Sequence, residues 1–546
     1  MISRTLIRTD ASLALDAEAS AEWALHPFAL VEAAGRLCAR TLVEHFDELF
    51  RSAPSKECPP NPVHAGDDSS AGSWRPRVVT LAGSGSNGAD AMVILRSLIL
   101  SGHAAPSSAV VINRLPAAGE MNPRALACRA LEKMKVPVLL WDGDEGEGAG
   151  RRSKDLIAHA DLVVDGIAGT GIRGGLSGAA AEMAEALNGL RKQCGGPLVV
   201  SVDLPSGNSD QWGPGMPIVE ADAVLAVEPR KLCLYLPAAR RYAGIILPVG
   251  ELFPPALIKK YGDATLFDWE TVGPLIPPVK PWAYKHERGV VEIRAGSAGA
   301  PGAAGIAARG AQAAGAGIVR LVVDPSIHGA LASNTGGIMV APDLPGGEDE
   351  DAGERFRPDA RLLGPGWGRG EDRAGPLRRA LEAEAEGVPL ILDADAIFLT
   401  RDRCFHGNTI ITPHPGEFAA CGGIPKEEVL ADPLPALRKA AAERGVFILF
   451  KGHVIFIVGP EGRTGVIDGM IPALATGGTG DLLAGFCAAV AARMRRTEKG
   501  FDGFICAAAA AALLIKAAGS PALKGKFVDP LEIAGEAAVL AGAAWL

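Results

Sequence analysis

The chain has 546 residues and carries 54 Lys and Arg against 63 Asp and Glu, a formal charge of −9. That balance excludes nucleic acid or an anionic membrane as the main partner. With 48% hydrophobic and 21% charged residues, global disorder is excluded too, and the length suits two large α/β domains of the kind that exceed about 150 residues each.

Taken in chain order, the N-terminus lacks the apolar core and small-residue cleavage site of a secretion signal, which fits a cytoplasmic protein. Residues 12–50 read as helices, with Leu30, Val31, Ala34 and Leu37 on one face. Ser52–Arg77, rich in Ser, Pro, Gly and Asp, reads as a surface loop. Strands are expected at Arg77–Leu81, Ser108–Ile112, Val136–Leu140, Leu162–Val164, Leu198–Val202, Ala223–Val227 and Gly244–Val249, with helices at Ala89–Leu100 and Pro123–Met134. Continuous apolar strands alternating with helices predict a mostly parallel sheet covered on both faces.

The proline-bearing stretch after residue 255 marks a junction, so the division is 1–255, a linker at 256–284, and 285–546. Beyond it the pattern resumes. Strands are expected at Val290–Arg294, Ile318–Val323, Leu390–Leu392, Thr409–Thr412, Val446–Leu449 and Val454–Val458, and helices at Ala303–Ala314, Arg373–Glu384, Pro435–Arg444 and Leu482–Arg495. Gly346–Glu354 is an acidic solvated loop. Gly503–Ile515 is alanine-dominated and short of the ~20 apolar residues of a membrane span, so it reads as a buried helix. Nine scattered cysteines without a C-x-x-C pair fit reduced thiols and exclude a zinc ribbon.

Several stretches carry chemistry. Ala475–Leu483 (ATGGTGDLL) opens a long apolar helix, and consecutive glycines at a helix start gather backbone N–H groups into an anion hole. Asp481 stands at that terminus, either as a cap or as the proton acceptor for a hydroxyl that takes a phosphoryl group. ITPHPGEF at 411–418, LGPGWG at 363–368, ILDADA at 391–396 and Lys451–Gly452 are further strand-end loops, where open α/β sheets bind ligands. In the first half, LAGSGSNGAD at 81–90 carries glycines 83, 85 and 88 in a loose dinucleotide spacing, with no acidic residue at a second-strand tip. VDGIAGTG at 164–171 and VDLPSG at 202–207 each end a strand in Asp. Asp165 and Asp203, with Asn87 and Ser206, form an oxygen set suited to K+ or Mg2+ and unsuited to zinc; capping of the loops is the plainer alternative. No G-x-S-x-G elbow and no P-loop occurs.

TPHPGEF, DADA, GPGWG and GGTGDLLAG together resemble the dehydratase of the bifunctional NAD(P)H-hydrate repair family, and residues 10–250 resemble its epimerase. The resemblance implies a Rossmann-like three-layer α/β/α domain followed by a ribokinase-like α/β domain. It implies epimerisation of R and S hydrates of NADH and NADPH and ADP-dependent dehydration of the S form. For the dehydratase it implies that Gly366 and His414, Pro415, Gly416 and Glu417 contact the hydrated nucleotide, with Asp481 as catalytic acid–base. Lys451, Gly452, His453, Val454, Ile455, Ala475, Gly477, Gly478, Thr479 and Gly480 would hold ADP, with Mg2+ on its phosphates.

For the epimerase, the family's N-N-G-G-D stretch falls on Ser86, Asn87, Gly88, Ala89 and Asp90, which with Gly169, Thr170, Gly171 and Asp203 would bind substrate. Asn87, Asp165 and Ser206 would bind K+, Asp165 would transfer protons, and Glu32 aligns with a family glutamate. Pro229–Pro237 falls on the family's product-side segment. A Cβ at Ala89 would be strained if that position needs positive φ. A homo-oligomer is expected. Two other readings stand beside this one: a ribokinase-like small-molecule kinase, and an N-terminal half that is a non-catalytic binding or oligomerisation module.

Overall fold

The computed structural model describes residues 3–52, 74–117, 119–141, 149–193, 196–344 and 357–546. Nearly all of the stretch expected as a loop at Ser52–Arg77, and the whole acidic segment Gly346–Glu354, lie outside the described residues. The chain forms two compact units, Met1–Ala264 and Thr265–Leu546.

The N-terminal unit holds strands β1 (Thr5–Ile7), β2 (Val78–Ala82), β3 (Ala109–Ile112), β4 (Val138–Leu140), β5 (Leu162–Gly166), β6 (Leu198–Val202), β7 (Ala223–Val227), β8 (Arg230–Lys231) and β9 (Ile245–Val249). Seven of them form a sheet of order β4-β3-β2-β5-β6-β7-β9, and every pairing in it is parallel. β2, β5 and β6 are buried along their whole length, the pattern of a sheet covered on both faces. The order reverses at β2, so a crevice opens between the loops that follow β2 and β5. Helices Pro27–Glu44 and Ser86–Leu100 pack on this sheet through Val31, Cys38, Leu42, Met92, Leu95 and Leu98.

The C-terminal unit contributes β10 (Ala264–Leu266), β11 (Val290–Arg294), β12 (Ile318–Val323), β13 (Met339–Pro342), β14 (Ala360–Leu363), β15 (Leu390–Leu392), β16 (Thr409–Ile411), β17 (Phe447–Phe450), β18 (Val454–Val458) and β19 (Thr464–Asp468). Their order is β13-β12-β11-β14-β15-β16-β17-β18-β19-β10. β17, β18 and β19 pair antiparallel and the remaining pairings are parallel. Helix Thr479–Arg495 crosses helix Pro301–Ala313 almost backbone to backbone. A Cβ added at Gly485 would stand 2.1 Å from the Ala307 carbonyl oxygen, and one at Gly310 would stand 2.5 Å from that of Leu482. Only glycine fits there, and the crossing fixes the height at which the helix begins. Gly503–Ala518 is the expected buried helix: Asp502 caps it by accepting from Ile505 N–H at 3.1 Å, and Ala507–Ala511 are fully buried.

The stretch 256–284 carries structure of its own rather than running as an open linker. Leu257 sits in a cluster of the first unit, while Trp269, Val272 and Ile276 are buried in the core of the second. Burying those apolar side chains outweighs the extended habit of the prolines between them.

Candidate functional site

In the C-terminal unit the loops after β14, β15, β16 and β17 lie along one edge of the sheet, at the carboxyl ends of parallel strands. The loop after β14 holds Gly364 at φ +122 and Gly366 at φ +57, and a Cβ at Gly366 would meet Ala300 at 2.9 Å. The Gly364 backbone runs so close to the next loop that a Cβ there would lie 1.8 Å from Asp393 O. Asp393, buried after β15, accepts from Thr412 Oγ1 at 2.6 Å and from Lys451 Nζ at 2.6 Å. Ala394 follows with φ +45, a position that costs a non-glycine residue about 1–3 kcal/mol and clusters at functional sites. Asp395 accepts from the Gly368 N–H and from Arg369, each at 2.8 Å, and so ties the two loops together.

His414 caps helix Pro415–Gly422. Its Nδ1 accepts from the N–H groups of Gly416 (3.0 Å) and Glu417 (3.2 Å), while Glu417 accepts from the His414 N–H at 2.9 Å. This reciprocal cap presents the loop rigidly. Lys451 N–H donates to Pro413 O at 2.9 Å, which sets the loop after β17 against the His414 loop.

Asp481 lies in the first turn of helix Thr479–Arg495, whose N-cap is Gly478 at φ +94 with no side-chain cap. The Thr479 N–H turns back to Thr476 O at 3.4 Å, and the N–H groups that follow it in the first turn remain as anion donors. A Cβ at Gly480 would lie 3.4 Å from Lys451 Nζ, so the glycine turn and the lysine share one site. Burial first, then the neighbouring Asp393 and Glu417, push the Asp481 carboxyl up to about 7 against the pull of Lys451. Burial, the largest single effect, lowers the Lys451 ammonium, but Asp393, Glu417 and Asp481 together raise it, and its net shift is upward. The structure thus gathers Asp481, Lys451, Glu417 and Gly480 around Asp393, which the sequence offered only as part of a weak DADA loop, and carries Gly366 and His414 on the neighbouring loops of the same sheet edge. Val454 and Ile455 depart from expectation: both are buried strand residues of β18, so their side chains belong to the core and only their backbone is left to meet a nucleotide.

In the N-terminal unit a cavity of about 770 Å³ opens at the carboxyl ends of β2, β3, β5, β6 and β7. Ser86, Asn87, Asp90, Gly169, Thr170, Gly171 and Asp203 line it as expected, joined by Asp16, Asn113 and Lys231. Gly83 makes the closest approach, because a Cβ there would lie 1.8 Å from Ile167 O. Gly88 and Ala89 are inside helix Ser86–Leu100, so Ala89 has ordinary helical φ and its Cβ is unstrained.

Asp203, at φ +64, is held by Lys231 Nζ at 2.8 Å, and Lys231 also donates to Val227 O at 3.2 Å. Asp tolerates that left-handed conformation better than most residues do. Burial raises the Asp203 carboxyl and Lys231 lowers it, with a net rise. Asp90 is driven well up by burial, then by Asp203 and Asp16, and its Oδ1 has no hydrogen-bond partner.

Asp165, expected to transfer protons, is not among the residues that line this cavity. It lies inside β5 opposite Ser201 of β6, fully enclosed. It accepts four hydrogen bonds, from Ser201 Oγ (2.7 Å), Ser206 N–H (2.9 Å), Ser206 Oγ (2.5 Å) and Ile167 N–H (3.2 Å). A carboxylate so committed joins strands rather than shuttling protons. Asp203 takes its place on the wall. Glu32 pairs with Arg96 and with Arg36, the latter at 3.1 Å. Lys231 escaped the sequence reading, although one lysine in the apolar run KLCLYLP was a visible signal.

Residues 291–534 match the family model described as NAD(P)H-hydrate dehydratase, and residues 27–233 match the one described as YjeF-related protein N-terminus. A bifunctional NAD(P)H-hydrate repair enzyme of Salinibacter ruber is 28% identical, over 86% of this chain and 85% of that protein. One of Gloeobacter violaceus is 31% identical, over 79% of this chain and 82% of that protein. Among solved structures, an ADP/ATP-dependent NAD(P)H-hydrate dehydratase of Bacillus subtilis, co-crystallised with ATP and Mg2+, is 24% identical; it covers 51% of this chain and 98% of that one, with a TM-score of 0.44. The molecule is a two-part α/β enzyme, an isomerase joined to a lyase. The chain belongs to the family of bifunctional NAD(P)H-hydrate repair enzymes, which pair an epimerase with a dehydratase, and neither a plain small-molecule kinase nor a non-catalytic N-terminal module is favoured.

Proposed function

We propose that the two units divide the repair at the junction near residue 264, with epimerisation in the N-terminal cavity and dehydration at the glycine turn of the C-terminal unit. The observation that carries the dehydratase assignment is Asp481 at the uncapped start of its helix, beside the Lys451–Asp393 pair. The S hydrate lies against Gly366 and His414–Glu417, and ADP lies along Lys451–Ile455 and Ala475–Gly480. Asp481 accepts the proton of the ring hydroxyl as the phosphoryl group arrives, and the helix N–H groups steady the charge that develops. The phosphorylated hydroxyl is a group that can leave where hydroxide is not. Mg2+ when bound offsets phosphate charge. The described residues hold no cluster of three or more His, Cys, Asp and Glu fit for a metal, and phosphate-borne Mg2+ with few protein ligands fits that donor set.

In the N-terminal cavity, Ser86, Asn87 and Asp90, with Gly169–Gly171 and Asp203, receive either hydrate. K+ fits the oxygens gathered around Ala168. Ser206 Oγ lies 2.5 Å from Asp165 Oδ1 and 3.0 Å from Ala168 O, so one hydroxyl proton faces two acceptors, and Asn87 Nδ2 reaches the same carbonyl at 3.0 Å. Asn87, Asp165 and Ser206 would hold the ion, which would supply positive charge behind the cavity wall. This reading takes the enzyme as cytoplasmic and homo-oligomeric. Among the described residues no helix is long and apolar enough to cross a membrane.

Incubation of the full chain with hydrated NADH and ADP, followed by ultraviolet detection of regenerated NADH, tests the proposal. S hydrate is consumed at once and R hydrate follows through epimerisation. No NADH from the S form would refute the dehydratase assignment.

A further inference from the structure

One wall of the N-terminal cavity lies outside the family match. Matched residues begin at 27, yet helix Thr9–Glu22 lines the cavity with Ser12, Leu13, Asp16, Ala17 and Ser20. Residues 12, 16 and 20 are spaced by four, as are 13 and 17, so they share one face. The other faces anchor the helix. Leu15 and Ala19 are buried with Ile7 and Leu257, Thr9 donates to Asp210 from its backbone at 2.6 Å and from its hydroxyl at 2.7 Å, and Tyr261 Oη donates to Glu18 at 2.6 Å. On the cavity face Leu13 remains 47% exposed and Asp16 is exposed beside it. An anchored helix that turns an exposed Leu and an exposed carboxylate to a cavity is a wall suited to a ligand.

We propose that Asp16 is a catalytic residue of the epimerase, giving a proton to the departing hydroxyl on one face of the substrate ring while Asp203 takes the proton of the water that returns on the other. The proposal rests on the epimerase reading above. The substrate's hydroxyl sits on a ring carbon next to the ring nitrogen. Protonation by the Asp16 carboxyl converts that hydroxyl to water, and the nitrogen lone pair forms C=N+ as the C–O bond breaks. Water leaves, and Asp16 is left ionised. A water molecule then adds to the opposite face: its lone pair forms the new C–O bond, the C=N π pair returns to nitrogen, and its proton passes to the Asp203 carboxylate. Exchange with cavity water restores both groups, so nothing is oxidised and no net proton is consumed. The reverse epimerisation exchanges the two roles.

The charged groups facing Asp16 are Lys231, Asp203 and Asp90. Lys231 is committed to Asp203. Glu228, on the same cavity, is spent on the N–H groups of Ser3 (2.6 Å) and Glu251 (2.8 Å), and Lys260 is paired with Glu18 on another face of the helix. Asp16 is open to the cavity yet crowded by protein atoms around it, and this partial loss of solvent pushes its carboxyl up to about 6, while Lys231 lowers it and Asp203 raises it, so a protonated fraction persists near neutrality.

The test follows loss of pure R hydrate in the full chain with ADP, so that the chain's own dehydratase removes the S form. Asp16→Asn, Asp16→Glu and, as a control on the exposed helix start, Asp10→Asn are compared with wild type. Asp16→Asn is expected to lower the epimerisation kcat about 100-fold, with KM within threefold and the rate on S hydrate unchanged. Asp16→Glu should recover most of the rate, and Asp10→Asn all of it. The wild-type rate should fall as pH rises past about 6, a limb that Asp16→Asn flattens. A folded Asp16→Asn with kcat within threefold of wild type, or a change in KM alone, overturns the proposal. Should Asn fail to fold, an Asp16→Glu variant with an unmoved pH limb overturns it equally. A wild-type chain no faster than spontaneous epimerisation would instead sink the epimerase reading and this inference with it.

Discussion

Each unit binds one aspartate to a lysine and leaves a second aspartate beside the pair. In the N-terminal cavity Lys231 holds Asp203 at 2.8 Å and Asp16 stands near; in the C-terminal site Lys451 holds Asp393 at 2.6 Å and Asp481 stands near. A lysine committed to one carboxylate neutralises the other only in part, so burial and the like charge win, and the second carboxyl rises to about 6 in Asp16 and about 7 in Asp481. The two pairs differ in what surrounds them. Asp481 shares the first turn of a helix with open N–H donors, an environment for a phosphoryl group, whereas Asp16 lies mid-helix on the wall of an open cavity, an environment for a hydroxyl and a water. The same electrostatic device thus serves phosphoryl transfer in one unit and proton exchange in the other.

The strongest way to break this parallel is Asp481→Asn. Dehydration of S hydrate should fall ~10²–10⁴-fold, as for loss of a general base, while ADP affinity by calorimetry stays within a few-fold because the N–H donors remain. Turnover within a few-fold of wild type would remove Asp481 from the chemistry.

Removing the lysines separates the pairs next. Lys451→Met strands Asp393, whose side chain is only 2% exposed, and unpairing a buried charge costs about 3–5 kcal/mol. Lys231→Met strands Asp203, which is 15% exposed on a cavity that water can enter, so the cost should be about 1–3 kcal/mol. Urea unfolding, read for the transition of each unit, should rank Lys451→Met as the more damaging. The opposite ranking would show that cavity water does not compensate Asp203.

A smaller effect follows from proton linkage. Folded Asp481 keeps its proton to about 7 and an unfolded one releases it near 3.8, so between these values the folded chain binds more protons. The stabilisation is full below about pH 4 and is lost as pH rises through about 7. Asp481→Asn should therefore melt higher than wild type at pH 8, with the difference closing towards pH 4. Equal melting at pH 8 would mean that the carboxyl is not raised.

The parallel sheets were legible because strands buried on both faces read as unbroken apolar runs, as VVTLA and LVVSV do. Met339–Pro342 was missed because its residues are only half covered and break no pattern, and Thr464–Asp468 because it opens on polar and glycine residues. Asp481 and His414 were legible because glycines and prolines at fixed spacing announce a rigid turn. Asp16 was not, since one Asp in an alanine-rich helix carries no spacing signal until the fold brings it to a cavity. Asp165 misled for a related reason. The strand runs two residues further than its apolar run, through Asp165 to Gly166, which draws the carboxylate into the sheet.

The smallest expected effect concerns the loop in which this chain departs from its family. Ala89 stands where the family carries glycine, and the sequence suggested strain against positive φ. In the structure Ala89 is the fourth residue of helix Ser86–Leu100, fully buried, and its N–H donates to Gly85 O at 3.4 Å. Glycine in a helix interior loses backbone entropy that alanine does not, about 0.5–1 kcal/mol, and here it also removes a buried methyl. Ala89→Gly should therefore lower the unfolding midpoint of the N-terminal unit slightly and leave the KM for R hydrate within twofold, because Ala89 is not among the residues that line the cavity. The two units then part once more: an equivalent Gly478→Ala change must fail, since Gly478 has φ +94 and a Cβ there would meet Ile306 Cδ1 at 2.7 Å. A large gain in epimerase affinity from Ala89→Gly would show that the methyl reaches the substrate after all, and the glycine loops of the two units would then be constrained alike.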